Sequence, residues 1–94
     1  MKVKWTPEAD RDRQDTREFI AVNDPRAAAR MDQLFSDAAA KLADFPKLGA
    51  KGKIPGTREL IPHEHYRLVY MIEGNTLWML ALVHTARQWP PVKE

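Results

Sequence analysis

The residues of this sequence best suited to chemistry stand at the two ends of an otherwise apolar hairpin. In residues 66–91, YRLVYMIEGNTLWMLALVHTARQWPP, Arg67 lies near the start and His84 and Arg87 lie near the end. A guanidinium matches the geometry of a phosphate, and histidine changes its protonation most readily near neutral pH. The cationic end of the hairpin therefore predicts a surface that suits a phosphate or a nucleic-acid backbone.

Each of these residues also has a purely structural interpretation. Arg67 could pair with a carboxylate, and His84 could be a hydrogen-bonded residue at the end of a strand. His63 and His65 are the next candidates for an acid or a base. The three histidines make a poor metal site, because no acidic ligand accompanies them and the chain has no cysteine. We therefore expect neither a metal nor a cofactor.

A lysine-rich segment in the middle of the chain is a second candidate for phosphate binding. Residues 47–57, KLGAKGKIPGT, contain Lys47, Lys51 and Lys53. This local positive charge predicts a surface that contacts phosphates, and His65 is predicted to contribute to it. The alternative is a solvated loop that is rich in lysine. Trp89 could stack on a nucleic-acid base, or it could pack on the body of the protein. The carboxylates of EADRDRQD (8–15) are typical of a solvated helix face.

Capping signals and periodicity predict the elements that position these residues. Thr6 and Pro7 begin a helix over residues 7–22, and Asp24 and Pro25 begin a second helix with apolar residues at 3.6-residue spacing. The segment 47–57 is predicted to be a loop, because it is rich in glycine and lysine. Short strands are predicted at 2–5 and 57–61, and longer ones at 66–73 and 76–85.

The turn at Gly74-Asn75 predicts the register of the last hairpin and therefore its two faces. If Glu73 faces Thr76, then His65 faces His84, and both lie on the same face as Arg67. We assign the helices to the opposite face, so that this apolar face stays uncovered and binds a protein partner. Its partner-binding residues would be Val69, Met71, Trp78, Leu80 and Leu82. A bulge would exchange the two faces.

Length and composition restrict the class of protein. The chain of 94 residues, with a net charge of +2, suits one small domain over residues 1–94. It lacks a signal-peptide pattern and an apolar run of about 20 residues, so we expect a cytoplasmic protein that does not bind membranes. The element order β-α-α-β-β-β predicts an α+β fold, with an antiparallel sheet and a helical hairpin packed on one face.

Five segments of the chain together carry a resemblance to a known family. They are WTPEA (5–9), LADFPKLG (42–49), PGTREL (55–60), YRLVY (66–70) and VHTARQWP (83–90). In this order, and over nearly the whole chain, they resemble the RelE/ParE superfamily of toxins from type II toxin–antitoxin modules. The resemblance implies the same fold. It also implies a cognate antitoxin that wraps the toxin, contacts its sheet and helices, and neutralises it.

The resemblance implies one of two activities. The RelE-like branch cleaves mRNA in the ribosomal A site, whereas the ParE-like branch inhibits DNA gyrase and has no known hydrolytic role. On the RelE pattern, Arg67 and Arg87 match two arginines that act near the scissile phosphate, and Arg58 stands at the first of two catalytic lysines. Leu60 occupies the place of the second lysine. No tyrosine follows Arg87, so His84 is the candidate to serve in its place.

Three functions are compatible with this sequence. The first is a ribosome-dependent mRNA interferase, which the three arginines and the basic loop favour. The second is a gyrase-binding toxin without chemistry of its own, which the missing lysine and tyrosine favour. The third is a toxin-like protein that acts mainly inside its antitoxin complex as a partner in autorepression. We place the interferase first.

Overall fold

Two helices and five strands follow one another in the order β-α-α-β-β-β-β. We describe the protein from a computed structural model, in which residues 1–91 are described. The elements are β1 (Lys2–Trp5), α1 (Pro7–Ala21), α2 (Pro25–Asp44), β2 (Ala50–Lys51), β3 (Arg58–His63), β4 (Tyr66–Glu73) and β5 (Thr76–His84). The predicted α+β class and the helical hairpin are confirmed. Residues 92–94 lie outside the described residues.

Both helices begin at the predicted capping residues. The Oγ1 atom of Thr6 accepts a hydrogen bond from the N–H of Ala9 at 3.1 Å, and Oδ1 of Asp24 accepts one from the N–H of Ala27 at 3.0 Å. Each cap satisfies a backbone donor that has no partner inside its helix. The two short cap-and-proline signals therefore fix where the hairpin of helices starts and where it turns.

The five strands form one sheet in the order β1-β5-β4-β3-β2. β1 runs parallel to β5, and all other neighbours are antiparallel. The short strand β2 falls inside the segment that the sequence predicted to be entirely loop, so that prediction is wrong for residues 50–51. β3 also extends to His63, which the sequence placed in a turn, and its pairing with β4 shifts register between Leu60 and His63.

A long-range anchor explains why β2 forms. The hydroxyl of Tyr70 donates to the carbonyl of Pro46 at 2.7 Å and accepts from the N–H of Gly49 at 3.0 Å. A Cβ atom at Gly49 would lie 2.8 Å from that hydroxyl and from the carbonyl oxygen of Glu59. Only glycine allows this close approach, which places the following residues beside β3.

A β-bulge in β5 exchanges the predicted faces beyond Met79. Close to the turn the predicted register holds, and Tyr70 faces Met79. Val69 then faces Ala81, so Leu80 is an extra residue in β5. As a result Leu82 and His84 change sides and face the helices. The predicted position of these two residues on the uncovered face is wrong, because the bulge shifts the register by one residue.

The core lies between the helices and one face of the sheet. It is built from buried residues of α1, α2, β4 and β5, namely Ala9, Phe35, Ala38, Ala39, Leu42, Tyr66, Leu68, Tyr70, Leu77, Met79 and Leu82. The opposite side carries Arg67, Met71 and Trp78. No helix within residues 1–91 packs on it, and we call it the open face. No helix in residues 1–91 is long and apolar enough to cross a membrane.

An arginine-centred cluster joins the two helices to β1. The Nε atom of Arg13 on α1 lies 2.6 Å from Oδ1 of Asp32 on α2, and its Nη2 donates to Oγ of Ser36 at 2.6 Å. The guanidinium also lies over the ring of Trp5, 4.9 Å from the ring centroid. The ion pair holds the pKa of Asp32 below its usual value, chiefly through the hydrogen bond from Arg13.

Candidate functional site

Arg67 lies on the open face and is already paired. Its Nε atom is 3.2 Å from Oε1 of Glu59, and the two side chains are only 16% and 13% exposed. Oε2 of the same carboxylate accepts a hydrogen bond from the N–H of Lys53 at 2.9 Å. Arg67 therefore lies beside a carboxylate, as its purely structural interpretation predicted.

Arg58 lies on the other side of the sheet from Arg67. It is the cross-strand neighbour of Tyr70, a residue of the core. Its Nη1 atom donates to the carbonyl of Gly49 at 2.7 Å and lies 3.4 Å from that of Lys47. Arg58 thus holds the loop before β2, and Arg58 and Arg67, two of the three predicted catalytic arginines, do not converge on one site.

All three histidines of the chain meet at one end of the β4–β5 hairpin. The rings of His65 and His84 are stacked, with centroids 5.7 Å apart and an angle of 14° between their planes. Tyr66 contacts His84 edge to face at 5.3 Å, and His63 lies 5.3 Å from His65. The predicted proximity of His65 and His84 is correct, although His84 faces Tyr66 in the register. Arg67 does not belong to this cluster, because it points to the open face.

Hydrogen bonds define which nitrogen of His84 carries the proton. Its Nδ1 atom accepts a hydrogen bond from the N–H of Ala86 at 3.0 Å, and Nδ1 of His63 accepts one from the N–H of His65 at 3.1 Å. A ring nitrogen that accepts must be unprotonated, so the neutral imidazole carries its proton on Nε2. In this arrangement the Nδ1 lone pair of His84 is engaged by the backbone N–H of Ala86.

A cleft separates α1 from the end of the hairpin, and we call it the α1–hairpin cleft. Its volume is about 540 Å³, and its lining consists of Asp12, Asp15, Thr16, Phe19, Tyr66, Leu82, His84, Ala86 and Arg87. A turn follows β5, since the N–H of Arg87 donates to the carbonyl of His84 at 2.9 Å. The turn brings Arg87 to the same rim as His84, but on the side of the sheet away from Arg67.

Asp12 is the residue of this cleft that the sequence did not identify. Its Oδ2 atom accepts a hydrogen bond from the N–H of Leu82 at 3.0 Å. Burial raises the pKa of this carboxyl, and the hydrogen bond from Leu82 opposes that rise. Its surroundings in EADRDRQD are those of a solvated helix face. The length of β1 is the signal that could have identified Asp12. Because β1 is short, β5 has no neighbouring strand on that side after Met79, and the N–H of Leu82 needs another acceptor.

The residues predicted to bind a protein partner differ in their accessibility. Met71, Trp78 and Leu80 are partly exposed, and none of the three belongs to the core between helices and sheet. Val69 is fully buried although it faces away from the helices, and Leu82 lies in the core. Those two side chains therefore offer no free surface to a partner. The Nζ atom of Lys4 lies 5.5 Å from the ring centroid of Trp78.

The predicted phosphate-binding residues are spread over the surface. Lys47, Lys51 and Lys53 are exposed around β2, and His65 is exposed at the histidine cluster. Trp89 is partly buried and its indole nitrogen is fully enclosed, which fits the prediction that it packs on the protein. Within residues 1–91, no group of three or more histidine, cysteine, aspartate or glutamate side chains is arranged to hold a metal ion.

Comparisons with known proteins agree on one family. A sequence model described as "ParE toxin of type II toxin-antitoxin system, parDE" matches residues 3–89. The chain is 34% identical over 92 residues to "Putative toxin Y4kP" of Sinorhizobium fredii, an alignment that covers 97% of this chain and 95% of that protein.

Solved structures share the fold at lower identity. The chromosomal ParDE toxin–antitoxin system from P. aeruginosa contains a chain with a TM-score of 0.79 and 20% identity, covering 89% of this chain and 95% of that one. The YoeB/ParE toxin from Agrobacterium tumefaciens gives a TM-score of 0.63 and 24% identity, covering 89% and 98%. The resemblance noted in the sequence is confirmed, and a cognate antitoxin is the partner that this membership implies. The chain belongs to the ParE toxin family of type II toxin–antitoxin systems.

Proposed function

We propose that this toxin acts by binding its target and not by cleaving RNA, and that its target is DNA gyrase. The observation that carries the proposal is the separation of Arg67 from His84 and Arg87. Cleavage of a phosphodiester needs a base, an acid and cations around one phosphate. Here the Arg67–Glu59 pair lies on the open face, while His84 and Arg87 line a cleft on the helix side.

The state of the individual residues supports the same proposal. Arg58 donates to the carbonyl of Gly49, and Arg67 lies beside the carboxylate of Glu59, so both guanidiniums already have partners within the chain. The Nδ1 atom of His84 is engaged by the N–H of Ala86, so this nitrogen is not directed at a substrate in this structure. Leu60 stands where the nuclease branch has its second lysine, and it packs against the core.

The mRNA interferase is the second candidate, and one observation favours it. The α1–hairpin cleft brings a carboxyl with a raised pKa, Asp12, to the same cavity as His84 and Arg87. A carboxylate, an imidazole and a guanidinium can supply the base, the acid and the cation that phosphodiester cleavage uses. For this function the hydrogen bond from the N–H of Ala86 to His84 must first break, and Asp12 must act as the general base.

For the antitoxin, we propose the exposed part of the open face as one contact region. Met71, Trp78 and Leu80 form a partly exposed apolar surface that neither α1 nor α2 covers. An antitoxin that wraps the toxin would bury these side chains, and aromatic residues such as Trp78 are typical anchors of protein interfaces.

A supercoiling assay tests the proposed target. Relaxed plasmid, purified gyrase and ATP are incubated with the purified chain, and the DNA topoisomers are separated on a gel. We expect supercoiling to be inhibited in proportion to the amount of toxin. The control is a Leu42→Asp preparation, in which a buried charge disrupts the core at a residue with 0% exposure. Normal supercoiling with excess native toxin would rule out gyrase as the target.

A further inference from the structure

Two cations stand directly opposite each other at the β2 edge of the sheet. In the antiparallel ladder between β2 and β3, Lys51 is the partner of Arg58. Side chains of directly paired residues project to the same side of a sheet, with their Cβ atoms about 5 Å apart, and like charges in this position destabilise the pair. Within residues 1–91 neither side chain forms an ion pair, so no carboxylate of this part of the chain offsets the repulsion.

The carboxylate of β3 is engaged on the other side of the sheet. Successive residues of a strand alternate in direction, so the side chain of Glu59 projects away from that of Arg58. Its two oxygens face the guanidinium of Arg67 and the backbone N–H of Lys53. Residues 47–58 contain four cationic side chains and no acidic one. This segment therefore carries positive charge that no carboxylate of its own neutralises.

The guanidinium of Arg58 is held in place and still has donors for a ligand. Its Nη1 atom donates to the carbonyl of Gly49 at 2.7 Å and lies 3.4 Å from the carbonyl oxygen of Lys47. An arginine side chain has five N–H donors. Within residues 1–91 the Nε and Nη2 atoms of Arg58 have no hydrogen-bond partner, and neither atom is fully buried. Because the internal bonds already fix this side chain, it loses little rotamer freedom when its remaining donors bind an anion.

The composition of the segment suits the phosphates of a duplex. Lys47, Lys51 and Lys53 are all exposed, and none of them forms an ion pair within residues 1–91. Residues 47–58 contain no aromatic side chain, whereas single-stranded nucleic acid binds to several aromatic faces on which successive bases stack. The segment also has no Asn, Gln or Ser, and the hydroxyl of Thr57 donates to the carbonyl of Ile54 at 2.7 Å. These features favour ionic contacts to the DNA backbone over recognition of base edges.

We propose that the Lys51–Arg58 pair, together with the exposed Lys47 and Lys53, binds the phosphate backbone of duplex DNA without regard to base sequence. A bound phosphate would offset the repulsion between the two facing cations. The choice of DNA rests on the proposed function, because a toxin that docks on gyrase lies close to the duplex that the enzyme holds. The anion site itself rests on the β2–β3 edge. In the complex with gyrase, this edge would add a second attachment for the toxin.

Fluorescence anisotropy of a labelled DNA duplex measures this site in the absence of gyrase. The full chain is titrated into a duplex of about 20 base pairs at several NaCl concentrations, and log K is plotted against log[NaCl]. Four cations on phosphates predict a slope of about −3 to −4. Lys51→Gln should reduce the magnitude of this slope by about 1 and weaken binding about threefold or more at low salt.

Arg30→Gln is the matched control for net charge. Arg30 is exposed and forms no ion pair within residues 1–91, and it lies on α2 about 20 Å before the end of that helix. We expect this variant to keep the slope of the parent chain. Arg58 stays unchanged in all variants, because it also holds the loop before β2. Equal effects of Lys51→Gln and Arg30→Gln would show attraction by net charge alone and would overturn the proposal.

Thermal unfolding without DNA tests the repulsion between the facing cations. Lys51→Gln removes one of the two charges and should raise the melting temperature by about 1–4 °C at low salt. Salt screens the repulsion, so the gain should disappear in about 1 M NaCl. The duplex should raise the melting temperature of the parent chain more than that of the variant. A parent chain and a variant that respond identically to salt would show that the charges do not repel, which would overturn the proposal.

Other nucleic acids test the choice of duplex DNA. Phe45 is 62% exposed just before the segment and offers one face on which a base of a single strand could stack. The same anisotropy titration is therefore repeated with one strand of the duplex and with an RNA duplex of the same sequence. We expect both to bind more weakly than the DNA duplex. Tighter binding of either would overturn the choice of duplex DNA.

A supercoiling assay of the same variants separates the DNA site from the proposed target. If both proposals hold, inhibition of gyrase should need several times more Lys51→Gln than parent chain, and Arg30→Gln should match the parent. Binding of the duplex by a chain that leaves supercoiling normal would remove gyrase as the target and keep the DNA site. Inhibition of gyrase by a parent chain that does not bind the duplex would remove the DNA site only.

Discussion

The carboxylate of Asp12 on α1 accepts the backbone N–H of Leu82 on β5 at 3.0 Å. This contact fixes the helix to the strand where β1 no longer covers the edge of β5. It also closes the base of the α1–hairpin cleft, so it connects the stability of the fold to the position of the candidate site.

Replacing Asp12 separates its hydrogen bond from its charge. Asp12→Ala should lower the free energy of unfolding by about 2 kcal/mol, because a partly buried N–H loses its acceptor. Asp12→Asn keeps an acceptor oxygen and should be nearly neutral at pH 7. Thermal unfolding of both variants measures the difference. Equal losses in the two variants would show that the hydrogen bond to Leu82 does not stabilise the fold.

The raised pKa of Asp12 predicts a specific pH dependence. The folded state holds the proton of this carboxyl more tightly than the unfolded state, in which its pKa is near 3.8. The contribution of Asp12 to stability is therefore greatest below that value and declines as the pH rises through the raised pKa of the folded state. The difference in unfolding free energy between the parent chain and Asp12→Asn, measured in urea between pH 3 and pH 7, should show this decline.

Asp32 should show the opposite dependence. Its pKa is lowered from 3.8 by Arg13, so its contribution is present above that value and is lost as the pH falls through the pKa of the folded state. At pH 7, Asp32→Asn should cost about 2 kcal/mol, since it removes charged hydrogen bonds from Arg13. Asp37→Asn, at an exposed position of the same helix, is the matched control. A cost for Asp32→Asn that persists undiminished in strong acid would contradict the assignment.

Tyr70 is predicted to hold the β2 segment in place. Tyr70→Phe leaves the N–H of Gly49 and the carbonyl of Pro46 without their partner, and should destabilise the fold by about 1–3 kcal/mol. Tyr66→Phe is the control, because the hydroxyl of Tyr66 bonds to no other residue of the described chain. Amide exchange of residues 50–51 should accelerate in the Tyr70 variant only. Unchanged exchange there would mean that the hydroxyl does not anchor the loop.

Local signals predicted much of this fold, and long-range contacts account for the errors. The caps at Thr6 and Asp24 and the turn at Gly74-Asn75 depend on neighbouring residues, so they could be predicted from the sequence. The strand β2 depends on Tyr70, which follows it by about twenty positions. The bulge at Leu80 has no local signature, because LWMLALV is apolar on both faces, and this one residue moved His84 and Leu82 to the helix side.

The candidate site was predictable only in part for the same reason. Residue types suggested that Arg67, His84 and Arg87 work together, but the face of each side chain depends on the bulge and on the turn at 85–87. Asp12 was missed because its partner is a backbone N–H seventy residues later. The residue types indicate which side chains could take part in chemistry. The register of β4 and β5 determines which of these side chains lie close together.

Removing the arginines should distinguish binding from catalysis in cells. If the toxin acts by binding gyrase, the double variant Arg67→Ala, Arg87→Ala should still arrest growth when it is expressed without antitoxin, provided that its fold is intact. Circular dichroism of the purified variant checks the fold. A folded double variant that has lost all toxicity would favour the mRNA interferase.

Primer extension on a defined mRNA tests the central claim most directly. Purified toxin, free of antitoxin, is added to a reconstituted translation system that contains no gyrase, and breaks in the template are mapped with and without translating ribosomes. A binding toxin directed at gyrase should leave the mRNA intact and the protein yield normal. Breaks within codons that appear only during translation would contradict the account, and would direct attention to Asp12, His84 and Arg87 in the α1–hairpin cleft.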